Sequence, residues 1–390
     1  MELANKRSVL AVIVIAQFFC TSLWFAVNGI AIDLINNFNL GQNAIGHLTS
    51  AIQLGFITGT LLFAFLAITD RFSPSIVFLM CALAGALVNS TLLFSHNTYV
   101  SIIIARFLVG LFLAGIYPVG MKIAADYFDE GLGRSLGFLV GALVLGTALP
   151  HLIKGLGQSF TWKIVVLSTS ILATTGGILV AVLIADGPFR RRGSHFDLSI
   201  VRSLSQMKQF SLASIGYFGH MWELYAFWAF VPVLLNMNLE GKVSSATISL
   251  LSFAVIALGG IGCIGAGYLS DQWTKRKVAF FALFISTICC TIFPLLAPSG
   301  HAVFFILLMA IWGLTVVADS PMFSTLVANS APPEIRGSAI TLVTCIGFLI
   351  SILSIQILSY LLSNYHTPEV VLILTIGPIG ALAYNRLIKK

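Results

Sequence analysis

The sequence predicts an all-α polytopic membrane protein of twelve transmembrane helices in two pseudo-symmetric six-helix bundles. Three observations predict it. Of the 390 residues, 58% are hydrophobic and only 9% charged, whereas soluble globular chains carry about 25% charged residues, so water is not the main solvent. One long polar stretch, Asp186 to about Gln209, stands near mid-chain between two nearly equal apolar blocks. The second block partly repeats the first. The expected organisation is an N-terminal bundle over residues 1–186, a basic cytoplasmic linker over 187–209 and a C-terminal bundle over 210–390.

A spanning helix needs about 20 mostly apolar residues. In the first half such runs lie at 8–35, 44–69, 74–95, 98–126, 132–155 and 162–185; in the second, at 210–236, 244–270, 277–297, 302–329, 335–363 and 367–387. The longest of them suit tilted helices, or helices that project past the bilayer. The first run follows Lys6 and Arg7 as a signal peptide would, but it is too long and lacks a small-residue cleavage site, so it reads as a retained helix.

Lys and Arg set the orientation. With the N-terminus in the cytoplasm, that side receives Lys6, Arg7, Arg71, Arg134, Arg190, Arg191, Arg192, Arg202, Lys208, Lys275, Arg276, Lys277, Arg336, Arg386, Lys389 and Lys390. The opposite side receives Lys154, Lys163 and Lys242. This is a strong positive-inside bias. It places both termini in the cytoplasm of a cell whose plasma membrane holds the chain, and it accounts for the net charge of +7 without nucleic acid. The six cysteines lie inside apolar runs with no Cys–His metal spacing, so they read as small buried hydrophobes. No metal or cofactor is expected.

The repeat shows best in the loops. Span 2 ends GTLLFAFLAITDRFSPS and span 8 ends GIGCIGAGYLSDQWTKRK; Gly59 precedes Asp70, and Gly260 precedes Asp271, by eleven residues. Superposing Pro118 of span 4 on Pro321 of span 10 brings Arg134 and Arg336 into register with one gap. These residues resemble the signature of the major facilitator superfamily of transporters over the whole chain. The family's loop between helices 2 and 3, G-x-x-x-D-R-x-G-R-[RK], is represented by Asp70 and Arg71, with Leu66, Ser73 and Pro74-Ser75 departing from it. The second copy, Gly267 to Arg276, matches better. Arg106 with Gly110 and Gly115 resembles the second family motif, and the glycine series of span 5 resembles the antiporter motif only loosely.

An aspartate at the inner end of a helix can face the positive N-terminus of another helix, and a nearby arginine can offer charge-assisted hydrogen bonds. Asp70, Arg71, Asp126 and Arg134 are therefore expected to form a cytoplasmic latch, with Asp271, Lys275 and Arg336 as its weaker counterpart. The resemblance implies that helices 1, 4, 7 and 10 line a central cavity. Candidate lining residues are Trp24 and Asn28 in span 1, Arg106, Tyr117 and Lys122 in span 4, and His220, Trp222, Tyr225 and Trp228 in span 7. Trp24 and Asn28 are expected at the place in the repeat that matches Trp222.

An ionisable group inside the bilayer marks a pathway or relay by default. Glu223, within GYFGHMWELYAFWAFVP of span 7, and Asp319, within GLTVVADSPMFSTL of span 10, are the two acids well inside apolar runs. A carboxyl there can load and release a proton on each cycle, which is what proton coupling requires. Arg106 can bind an anionic solute group.

The expected function is secondary active transport of a small organic solute, anionic or zwitterionic, across the inner or plasma membrane. It proceeds by alternating access coupled to protons through Glu223 and Asp319. The expected partners are the solute, protons and the lipid bilayer, with the protein acting as a monomer. No phosphate-binding GxxxxGK[ST] is present, and no soluble domain is long enough for an enzyme. A proton-antiport exporter of drugs or metabolites is the alternative within the class. A non-transporting receptor or scaffold with a transporter fold is the alternative outside it.

Overall fold

The computed structural model describes residues 6–41, 43–128, 132–157, 161–190, 204, 206–332, 335–365 and 367–389. Arg191, Arg192, Arg202 and Lys390 lie outside the described residues, and of Lys6, Arg134 and Lys389 only the backbone is described. The chain divides into two compact units, Met1–Ala44 with Ala51–Phe196 and Ile45–Ser50 with Asp197–Lys390. The first contains α1 (Lys6–Thr21), α2 (Ala31–Phe38), most of α3 (Ala44–Phe65), α4 (Ile68–Arg71), α5 (Pro74–Ser90), α6 (Tyr99–Leu113), α7 (Tyr117–Tyr127), α8 (Leu132–Leu156) and α9 (Trp162–Leu183). The second contains α10 (Lys208–Leu239), α11 (Ser245–Gln272), α12 (Lys275–Leu296), α13 (Ala302–Thr315), α14 (Ser320–Ser330), α15 (Arg336–Tyr365), a 3-10 stretch over Pro368–Thr375 and α16 (Ile376–Lys389).

Among the described residues, eleven helices are long and apolar enough to cross a membrane. Their outward faces are apolar, with Leu87, Val182 and Leu295 each more than 70% exposed, as lipid contact demands. The twelfth expected span is the first, and it is interrupted. Only Arg7–Thr21 is an apolar helix there; the chain then turns through 22–27 and the 3-10 element Asn28–Ile30 before α2. At this point Thr21 donates to the Gln17 carbonyl at 2.8 Å and Ser22 to the Phe19 carbonyl at 2.6 Å.

Spans 4 and 10 break at matching places. α6 ends at Leu113 and α7 restarts at Tyr117-Pro118, while α13 ends at Thr315 and α14 restarts at Ser320-Pro321. Proline has no N–H to donate back and turns the preceding residue away from the helical region, but it suits the first turn of a new helix.

Glycine contacts reveal the repeat's true register. A Cβ on Gly110 would overlap the Ile52 carbonyl, and one on Gly59 the Leu111 carbonyl, so α3 and α6 meet backbone to backbone. Both contacts recur 203 residues further on, with Gly313 against the Val255 carbonyl and Gly262 against that of Leu314. Gly59 therefore corresponds to Gly262, not to Gly260 as the equal spacing to the aspartates suggests. The first copy has two more residues before its aspartate. They are absorbed where Ala67 adopts the left-handed region (φ 49°, ψ 41°) and α4 restarts; α11 instead runs unbroken to Gln272.

Candidate functional site

In the second unit, α10 has no polar face and is buried on nearly every side. Each side meets a different neighbour. Trp222 donates its indole N–H to the Ile373 carbonyl at 2.9 Å. Tyr225 packs on Phe348 of α15 with ring centroids 5.0 Å apart, and on Trp228 at 5.5 Å.

Glu223 faces α12 and α13. Trp312 donates Nε1–H to its Oε1 at 2.7 Å, and the Ser286 hydroxyl lies 2.9 Å from Oε2. That hydroxyl is also 3.0 Å from the Leu283 carbonyl, and it has one proton to give. When Glu223 is ionised, Ser286 donates to it. When Glu223 is protonated, the carboxyl donates to Ser286, which turns its own proton to Leu283. Both protonation states are thus satisfied by rotating one hydroxyl.

His220 faces the break between α13 and α14. Its Nδ1 lies 2.7 Å from Asp319 Oδ1, with side chains 0% and 1% exposed. The contact is not aligned as a hydrogen bond: among the described residues, neither ring nitrogen and neither carboxyl oxygen has a partner of proper geometry. Asp319 is the N-cap residue of α14 without capping it through its side chain. Buried polar groups are normally fully paired, and this close but misaligned pair departs from that rule.

The first unit carries none of this chemistry at the corresponding places. Gly176 packs on the Ala16 carbonyl as Gly377 packs on that of Gly219; Ala16 and Gly219 stand 203 residues apart, which extends the register to α1 and α10. By that register His220 matches Gln17, Glu223 matches Cys20 and Asp319 matches Ile116. Trp24 matches Phe227 rather than Trp222, correcting the expectation from sequence. Gln17 is buried, and among the described residues neither its amide nitrogen nor its amide oxygen has a hydrogen-bond partner.

Arg106 is held inside the first unit through both of its terminal nitrogens. Its guanidinium donates to the carbonyls of Leu23 and Trp24, both at 2.8 Å, and to Asn89 Oδ1 at 3.2 Å. Asn89 in turn donates to Thr169 and Ser170 of α9. A cation thus meets the carbonyls released where α1 stops, where the helix dipole is negative. Trp24 packs on Phe56 at 4.8 Å, Asn28 is buried in the 3-10 turn, and Tyr117 is half-buried at the start of α7.

Lys122 pairs with Asp70 at 3.2 Å. The first linker residues join this cluster. Ser73 donates to Asp186 at 2.6 Å, Arg190 pairs with Asp186, and Arg190 donates to the Phe72 carbonyl at 2.9 Å. The Asp126 carbonyl accepts from Phe189 N–H at 3.0 Å, and the Tyr127 hydroxyl donates to the Ala185 carbonyl at 2.8 Å. Asp186, Arg190 and Ser73 were not among the sequence candidates, although an Asp-Gly-Pro turn signal stood at Asp186. Arg71, Asp271 and Arg336 are exposed, Lys275 is half-buried, and among the described residues none of these four forms an ion pair. The Arg134 side chain is outside the described residues.

Among the described residues, eleven membrane-length helices and one interrupted span, with matching breaks in spans 4 and 10, apolar outer faces and buried ionisable groups, define a membrane transporter fold. The family model of the Major Facilitator Superfamily matches residues 13–355, and the chain belongs to that superfamily as an integral membrane protein. The xylose transporter XylE from E. coli, in a partially occluded inward-open conformation, is similar with a TM-score of 0.78 at 14% identity, covering 100% of this chain and 98% of that one. The nucleoside transporter NupG gives 0.74 at 14% identity, with 99% and 100% covered. A bacterial homologue of the human lysosomal transporter Spinster gives 0.75 at 15%, with 100% and 98% covered. At these identities the likeness is one of fold. Among curated proteins, none matches the sequence.

Proposed function

We propose that the protein is a proton-coupled secondary transporter of a small polar organic solute, working by alternating access in the plasma membrane with both termini in the cytoplasm. The observation that carries this reading is the buried His220–Asp319 contact at 2.7 Å, which joins two titratable groups next to the break in span 10. Asp319 takes up and releases the coupled proton, His220 is the side chain that faces it at 2.7 Å, and Glu223 is a second buried carboxyl whose surroundings tolerate both protonation states. The orientation rests on the positive-inside distribution of Lys and Arg.

Arg106 and Lys122 suggested an anionic solute from the sequence, but both are occupied within the first unit. That favours a neutral, hydrogen-bonding solute. One protein of similar structure is a D-xylose-proton symporter, which agrees with such a solute and with proton coupling. The test is uptake of a panel of sugars, nucleosides, amino acids and organic acids into proteoliposomes under an imposed pH gradient, comparing wild type with Asp319→Asn. Gradient-driven accumulation that the variant loses supports the reading. Transport indifferent to both the gradient and Asp319 removes the coupling mechanism, and the absence of any transport favours a receptor.

A further inference from the structure

At the end of the second unit, where α12 begins and α16 approaches its last turns, a pocket of about 460 Å³ is lined by Trp273, Thr274, Arg276, Lys277, Phe280, Phe281 and Asn385. Its floor is aromatic: Phe280 is buried, and Phe281 meets the half-exposed Trp273 edge-on at 5.8 Å. Its rim is cationic. Arg276 is fixed by Asn385, donating Nε–H to Oδ1 at 2.8 Å and Nη2–H to the same oxygen at 2.6 Å, and Lys277 is exposed beside it. Among the described residues no carboxylate pairs with Lys275, Arg276 or Lys277. The corresponding stretch of the first unit reads Ser73-Pro74-Ser75-Ile76 and has no cation, so the cluster is not something the fold requires of every helix start.

A charged rim over an aromatic floor, with an exposed tryptophan at the end of two membrane helices, matches an amphiphile that has an anionic head and an apolar tail. Tryptophan favours the headgroup level of a bilayer, and basic pockets between transmembrane helices on the cytoplasmic side receive lipid headgroups. A soluble anion would not need the aromatic floor. We propose that this pocket seats the phosphodiester headgroup of an anionic phospholipid. Lys277 and the outer edge of the Arg276 guanidinium meet the phosphate, and an acyl chain lies along Phe281. Assignment to the cytoplasmic leaflet rests on the proposed orientation; the site itself does not.

The test uses the purified full-length protein in a zwitterionic detergent. Binding of phosphatidylglycerol, phosphatidylcholine and inorganic phosphate is measured by native mass spectrometry and by protection against thermal unfolding. Wild type should bind phosphatidylglycerol in preference to phosphatidylcholine. Lys277→Gln should weaken that binding about fivefold, the usual effect of one cation near an anionic lipid surface, and Lys277→Glu should abolish the preference. Both variants leave the Arg276–Asn385 bonds untouched and should fold as wild type does, whereas Lys242→Gln, a lysine remote from the pocket, should change nothing. Unchanged preference in Lys277→Glu overturns the site, and protection by inorganic phosphate equal to that by phosphatidylglycerol overturns the lipid assignment. Binding in detergent is independent of topology and of transport, so these outcomes stand whether or not the proposed orientation and coupling survive.

Discussion

Replacing Glu223 by Gln and by Leu separates a proton carrier from a structural carboxyl. In Glu223→Gln the amide is isosteric with the protonated acid. Its carbonyl accepts the Trp312 indole N–H as Oε1 does now at 2.7 Å, and its NH2 donates to Ser286, which turns its proton to Leu283 at 3.0 Å. One amide N–H replaces the acid's proton and the other is left without a partner, so Glu223→Gln should cost about 1 kcal/mol. In Glu223→Leu the indole N–H loses its acceptor in a site 1% exposed, at a cost of about 1–3 kcal/mol. The assay pairs thermal unfolding of the purified protein with two transport readouts: accumulation driven by a pH gradient, and exchange of labelled for unlabelled solute without a gradient. Glu223→Gln is expected to exchange solute yet fail to accumulate it. Accumulation by Glu223→Gln with wild-type pH dependence would refute a coupling role and leave Glu223 as a structural acceptor for Trp312.

Three further outcomes follow from the geometry. Arg106→Lys should lose about 1.5–3 kcal/mol, the worth of a hydrogen bond to a charged group, because one ammonium cannot span the Leu23 and Trp24 carbonyls and Asn89 together; thermal unfolding checks this, and wild-type stability would contradict it. Gly110→Ala and Gly313→Ala should each cost about 1–3 kcal/mol or more by overpacking, whereas Gly137→Ala, which meets nothing within 4 Å, should be neutral or stabilising; equal effects at Gly110 and Gly137 would refute the close helix approach. Arg190→Gln should lose no more than about 1 kcal/mol, and less at high salt, since its pair with Asp186 is part-exposed at 26% and 40%.

The spans were legible because burial in lipid writes a simple signal, and the breaks at Pro118 and Pro321 were marked by a residue that cannot continue a helix. The break after Thr21 was not legible. Its released carbonyls are met by Arg106, which reaches across from α6, 83 positions from Leu23. Glu223 was readable as a buried acid, but its partners Ser286 and Trp312 lie 63 and 89 positions away, and no pattern of apolar residues names them. The repeat misled by equal spacing: Gly59 and Gly260 each stand eleven before an aspartate, yet packing pairs Gly59 with Gly262. A left-handed residue such as Ala67, which hides two inserted positions, carries no signal in its identity.

The correct register bears on where the proton acts. At three matched places the first unit has Gln17, Cys20 and Ile116, and the second has His220, Glu223 and Asp319. At these three places the carboxyls and the imidazole stand in the second unit only. If His220 and Asp319 act as one unit, removing either should have the same effect as removing both, since coupled residues in contact are not additive. His220→Gln, which installs the first unit's residue, and Asp319→Asn should each abolish accumulation under a pH gradient while preserving solute exchange. The double variant should then be no worse than either single one. A half-loss in each single variant that multiplies in the double would mean two independent proton sites, and the 2.7 Å contact would then be a consequence of packing rather than the coupling device.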